Sequence, residues 1–163
     1  MSGLSKSHQD AVVSNLTDLL KKGNAHVSLD KALKNVPFSL LGQKPANTPY
    51  SIWQLADHIR IAQWDLLEFS RNPKYESPEW PEGYWPKETA PASEKDWEKC
   101  VEEIKADRDA FVDLVENAGE KLYEVFKHGT GQTLLKEALV LADHNSYHVG
   151  QIVILRKMLN NWD

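Results

Sequence analysis

Cysteine is nearly absent: Cys100 is the only one in 163 residues. An intrachain disulfide is therefore excluded, and the count fits a reducing cytosol. Lys and Arg form no cluster. Charges are mixed along the chain and the net charge is −5, so nucleic acid is not an expected partner. No run of about 18 apolar residues occurs, so no membrane span is expected. The opening MSGLSKSHQD lacks the apolar core of a signal peptide. These absences together predict a cytoplasmic protein with no membrane or nucleic-acid partner. Strand-like alternation of useful length, internal repeats and low-complexity segments are also missing.

What the sequence does contain is helical periodicity. Its length suits one domain, residues 1–163, with a sizeable core. Val12, Val13, Leu16, Leu19 and Leu20 make an amphipathic stripe on a first long helix over residues 6–22, with Ser7 and Asp10 as a capping box and Gly23 as C-cap. A short helix capped by Ser28 is predicted over residues 29–35. A second long helix begins at the capping box Ser51–Gln54 and runs to Arg71. Its apolar seam alternates steps of three and four: Ile52, Leu55, Ile59, Ala62, Leu66, Phe69.

Proline then breaks the pattern. Residues 73, 78, 81, 86 and 91 are all proline, and no helix persists through that spacing. Residues 72–92 are predicted to be a long irregular loop. Tyr75, Trp80, Tyr84 and Trp85 give it something to pack with and could wall a pocket. A third long helix opens at Ser93 and ends at Gly119; Arg108 falls on its apolar stripe, where it either snorkels or pairs with a carboxylate. A fourth begins near Thr130–Thr133 and runs to about Asn160. Four long amphipathic helices predict an all-α four-helix bundle, with the irregular loop between the second and third.

The fourth helix carries His144 and His148. Four residues apart, they lie about 40° apart in azimuth, on one face. Two imidazoles so placed can converge on one metal ion, although a helix without metal can host the same pair. His148 also sits in the apolar stripe, where its ring nitrogens need partners. The candidate third ligand is His58, one position off the seam of the second helix. If the two helices are neighbours, all three rings can meet at one ion.

The segments Pro49-Tyr-Ser-Ile-Trp-Gln-Leu-Ala-Asp-His58 and His144-Asn-Ser-Tyr-His148-Val-Gly-Gln-Ile152, with Leu155-Arg156, resemble the DinB-like (DinB/YfiT) superfamily. The resemblance is specific mainly at the Trp-x₄-His of the second helix and the His-x₃-His-x-Gly-Gln-Ile of the fourth. It implies a four-helix bundle, often dimeric, with a divalent metal held by His58, His144 and His148. It also implies a reaction like that of characterised relatives, some of which use low-molecular-weight thiols.

Three protein ligands leave coordination positions open, as catalytic sites do. A divalent ion among neutral imidazoles lowers the pKa of bound water, or binds a thiol as thiolate. Hydrolysis and thiol transfer are thus both open, on a small-molecule substrate. Zinc or nickel is expected, with iron or manganese compatible. The pair reads His-Asn-Ser-Tyr-His, without the glutamate of a zinc protease, which argues against peptidase chemistry. Asp65 and Tyr147 are the candidates for proton transfer, with Asp57 and Asp143 behind them. The rival reading is a non-enzymatic dimeric bundle whose metal site is structural or vestigial.

Overall fold

The computed structural model describes residues 5–162. Residues 1–4, part of the stretch read above for a signal peptide, and residue 163 lie outside it. The fold is all-helical. Among the described residues there are six α-helices: α1 (Lys6–Lys22), α2 (Leu29–Leu33), α3 (Phe38–Leu41), α4 (Ile52–Arg71), α5 (Glu94–Glu116) and α6 (Leu134–Met158). Val125 and Thr133 form one isolated β-bridge and no strand.

The helix ends follow from local chemistry. At α4 the capping box forms in full: Ser51 accepts from the Gln54 amide, and Gln54 Oε1 accepts from the Ser51 amide at 3.2 Å. Thr133 caps α6 by accepting from the Lys136 amide at 3.1 Å, and Ser93 caps α5 likewise. Gly23 closes α1 in the left-handed conformation, φ 73°. The expected Ser7–Asp10 box does not form. The N-cap is Ser5, its side chain caps no amide, and Ser7 lies inside the helix sharing a hydrogen bond with Ser5. The short helix α2 stops at Leu33, because Lys34 is extended and Asn35 takes a positive φ. Helix α3 is not anticipated by the sequence. Pro37 is its N-cap.

The four long helices form a closed circuit of contacts: α4 packs on α5 and α6, and α1 packs on the same two. Two apolar clusters result. One joins α2, α3, the start of α4 and the end of α6 through Leu41, Ile52, Leu55, Ile59 and Ile152. The other joins α1 to the end of α4, the end of α5 and the start of α6 through Leu16, Leu67, Phe111 and Leu141, with Leu122 beside them. Each such side chain, fully buried, contributes roughly 1.5–3 kcal/mol relative to exposure. Polar residues lie along the chain between the two clusters. Buried Gln63 donates to the Ile104 carbonyl and accepts from Asn145 Nδ2 at 3.1 Å, bridging α4, α5 and α6. The histidines belong to this intermediate level.

Arg108 resolves the anomaly on the α5 stripe. It is buried and donates to Asp30 Oδ1 at 2.9 Å, so it pairs with a carboxylate and ties α2 to α5. Between α4 and α5 the proline-rich segment holds only one 3-10 turn, Glu82–Tyr84.

Candidate metal centre

His58 projects from α4 and His144 and His148 from α6, two helices that pack together. One potential ligand atom from each ring falls within 4.8 Å of the others. Ring centroids stand 4.9 Å (His58–His144), 4.7 Å (His58–His148) and 4.5 Å (His144–His148) apart. His58 and His148 are 3% and 6% exposed.

The outward nitrogens have acceptors. His58 Nδ1 lies 2.7 Å from the Tyr84 carbonyl, and His148 Nδ1 lies 2.7 Å from Gln151 Oε1. A carbonyl oxygen only accepts, so each Nδ1 carries the proton and donates. Each Nε2 is then left with a lone pair. His58 Nε2 faces His144 Nε2 at 3.0 Å. Without a cation between them, one of these two nitrogens must supply a proton to the other. His144 Nδ1 is buried and meets no partner of hydrogen-bonding geometry, the adjacent Asn145 side chain only nudging its pKa upward.

Electrostatics keep the rings neutral. Burial depresses the pKa of all three. For His144 the neighbouring His148 and His58 add to it, and the value falls to about 4. The Tyr84 carbonyl and Asp57 oppose the shift at His58, as Gln151 does at His148, without reversing it. Neutral rings with inward lone pairs are what a metal ion requires of histidine. The donor set therefore fits a divalent cation.

A profile of the DinB superfamily matches residues 24–152. The chain belongs to the DinB superfamily. The match takes in all three histidines and runs from the turn before α2 into the second half of α6. Nothing matches among curated proteins, and nothing among solved structures.

The other residues singled out in this DinB-superfamily chain scatter. Asp65 is buried on α4 and accepts from the Tyr84 hydroxyl at 2.8 Å. Tyr147 is 66% exposed, with its ring edge on His148 at 5.0 Å. Asp57 is buried but bonded to Arg60 at 2.6 Å, and Asp143 is exposed. His8, His26 and His128 stand outside the cluster. Cys100 is buried core, its thiol pushed up to about 12 by burial and by Asp57.

Two contributors carried little or no sequence signal. The Tyr84 carbonyl is a backbone atom, and no residue type announces it. Trp85 was visible only as one aromatic of the loop, yet it stacks on His58 and is itself covered by Tyr50.

Proposed function

We propose that this chain is a metal-dependent enzyme, of thiol S-transferase or hydrolase type, acting on a small molecule at one divalent ion held by His58, His144 and His148. The observation that carries the reading is the donation of His58 and His148 Nδ1 to carbonyl oxygens, which leaves each Nε2 a lone pair in a cluster whose ligand atoms lie within 4.8 Å of one another, His58 Nε2 facing His144 Nε2 at 3.0 Å. Zinc or nickel suits such a set best, and iron and manganese are compatible. When bound, the ion supplies Lewis acidity and lowers the pKa of a water or thiol on it. The chain's part is to orient: Tyr84 and Gln151 fix two rings, and Trp85 with Tyr50 walls His58. A largely apolar hollow of about 120 Å³, lined by Tyr50, Leu55, Gln151 and Ile154, adjoins the Gln151 support and admits the end of a small molecule.

We read the four long helices as a four-helix bundle, residues 1–163 as one domain, and its setting as cytoplasmic. The bundle is proposed to be a homodimer. Its support is an exposed stripe on α6, Tyr147, Ile154 and Met158, at whose centre Gly150 has open space where a side chain would be. Among the described residues, no neighbouring helix comes within 4 Å of that position.

A second reading has its own support. His58 and His148 are buried and His144 is half-buried, and a larger hollow of about 450 Å³, beside Trp53, Arg60 and Cys100, is lined by none of them. That favours a non-enzymatic dimeric bundle with a structural or vestigial site. Turnover decides between the two. Zinc- or nickel-loaded protein should consume a low-molecular-weight thiol in the presence of an electrophile, or hydrolyse an activated ester. Full metal loading with neither activity would favour the second reading.

A further inference from the structure

We propose that Tyr84 and Asp65 form a positioning relay that fixes the ring of His58. The inference rests on the reading of His58 as a ligand and identifies what holds it. Tyr84 makes two bonds to one helix. Its hydroxyl donates to Asp65 Oδ2 at 2.8 Å, and its carbonyl accepts from His58 Nδ1–H at 2.7 Å. Asp65 follows His58 by seven residues, about two turns and 10.5 Å along α4. One loop residue thus spans two turns of the helix, pinned at both ends.

Asp65 is otherwise hard to explain. It is 8% exposed, and its Oδ1 is buried without a bond of good geometry. The loop's Tyr75 hydroxyl also lies near this carboxylate, which helps burial push that phenol up. An aliphatic side chain would avoid the desolvation of a carboxylate there. The bond from Tyr84 is what the carboxylate gains, and an O–H···O⁻ bond is roughly twice as strong as a neutral one. The hydroxyl remains a donor at any ordinary pH, because burial and the same carboxylate push Tyr84 up to about 12. Fixing Tyr84 also fixes its successor, Trp85, flat on the His58 ring. His148 differs: its partner, Gln151, sits on its own helix and needs no loop.

Tyr84 and Asp65 are therefore positioning residues. Without the hydroxyl bond, the carbonyl loses its anchor and His58 is free to exchange its ring proton between Nδ1 and Nε2. Outer partners of ligating histidines are typically worth about 10–100-fold in metal affinity.

The test reads the His58 tautomer directly, by long-range proton–nitrogen-15 NMR of the metal-free protein, and separately titrates zinc. In the parent, Nδ1 should be protonated and Nε2 bare. Tyr84→Phe, which keeps the ring, should give mixed tautomers and bind zinc about 10–100-fold more weakly, with unchanged far-ultraviolet circular dichroism. Asp65→Leu should do the same. Asp65→Asn keeps an acceptor oxygen and should restore the parent tautomer. If Asp65→Leu does not fold, Tyr84→Phe decides. A parent-like His58 tautomer in Tyr84→Phe would overturn the relay, whatever zinc does. A tautomer change in a protein whose parent takes up no zinc would leave the relay standing and remove the metal reading.

Discussion

Trp85 lies flat on His58, with ring centroids 3.9 Å apart and planes 2° from parallel. Tyr50 stacks on Trp85 in turn, at 4.1 Å and 13°. An aromatic stack of this kind is worth about 0.5–1.5 kcal/mol beyond the area it buries. The proline-rich loop, whose aromatics the sequence marks as able to pack, is thereby bound to the helix that carries the histidine. An ion bound at His58 would sit one ring away from an indole. Metal binding should therefore change tryptophan fluorescence, and Trp85→Phe should lose most of that change. Metal titration of the two proteins, followed by emission, checks it; an undiminished response in Trp85→Phe would place the reporter elsewhere.

The metal-free protein should weaken in mild acid. Folding holds the His144 ring neutral down to about pH 4, whereas the unfolded chain takes up that proton near 6.5. Between those values the unfolded state binds more protons, so stability rises with pH across the window and is lost as pH falls through it. His58 and His148, also lowered, act in the same direction. Urea denaturation at several pH values should show the loss, and His144→Gln should flatten it. An equally steep dependence in His144→Gln would assign the effect to other groups.

Any thiol used in the chemistry must come from outside. Cys100 is 2% exposed and its thiol is raised to about 12 by burial. A thiol held protonated and covered is a poor nucleophile. Native protein should react with a disulfide reagent at mildly alkaline pH only as fast as it unfolds, and denatured protein at once. Rapid labelling of the folded chain would contradict this.

Much of this was legible in the sequence and some was not, for physical reasons. Apolar spacing marked the four long helices, because burial of one face dictates period 3.6. Ser51–Gln54 was readable as a cap because both partners are side chains with a fixed offset. The Ser7–Asp10 pattern had the same form, but Ser5 begins the helix instead, and an exposed first turn exerts little preference. Helix α3 was hidden by Pro37, which breaks a helix inside but is tolerated at its start. His144 and His148 were legible as a pair because they share one helix. Their meeting with His58 depends on which helices are neighbours, which spacing does not encode. Tyr84 acts on His58 through a carbonyl that every residue possesses.

Self-association is expected through α6. The exposed Tyr147, Ile154 and Met158 flank Gly150, whose Cβ position meets nothing within 4 Å. Sedimentation at micromolar concentration should give about twice the 18.6 kDa chain mass, and Ile154→Glu should shift it toward the monomer. A monomeric parent would defeat the dimer.

The central claim, one ion shared by His58, His144 and His148, is tested most directly by zinc titration of the parent beside three single alanine variants, followed calorimetrically at neutral pH. One zinc per chain should bind the parent. Each variant should bind far more weakly while staying folded, since the helices rest on their aliphatic clusters. His148→Ala should also lose some stability, because that ring is 6% exposed and fills core volume. His58→Ala is decisive, being the only member on the other helix. One zinc bound far more weakly by His58→Ala than by the parent is the expected result. Binding as tight as the parent's would mean that α4 and α6 do not share a metal, and would contradict the three-histidine site.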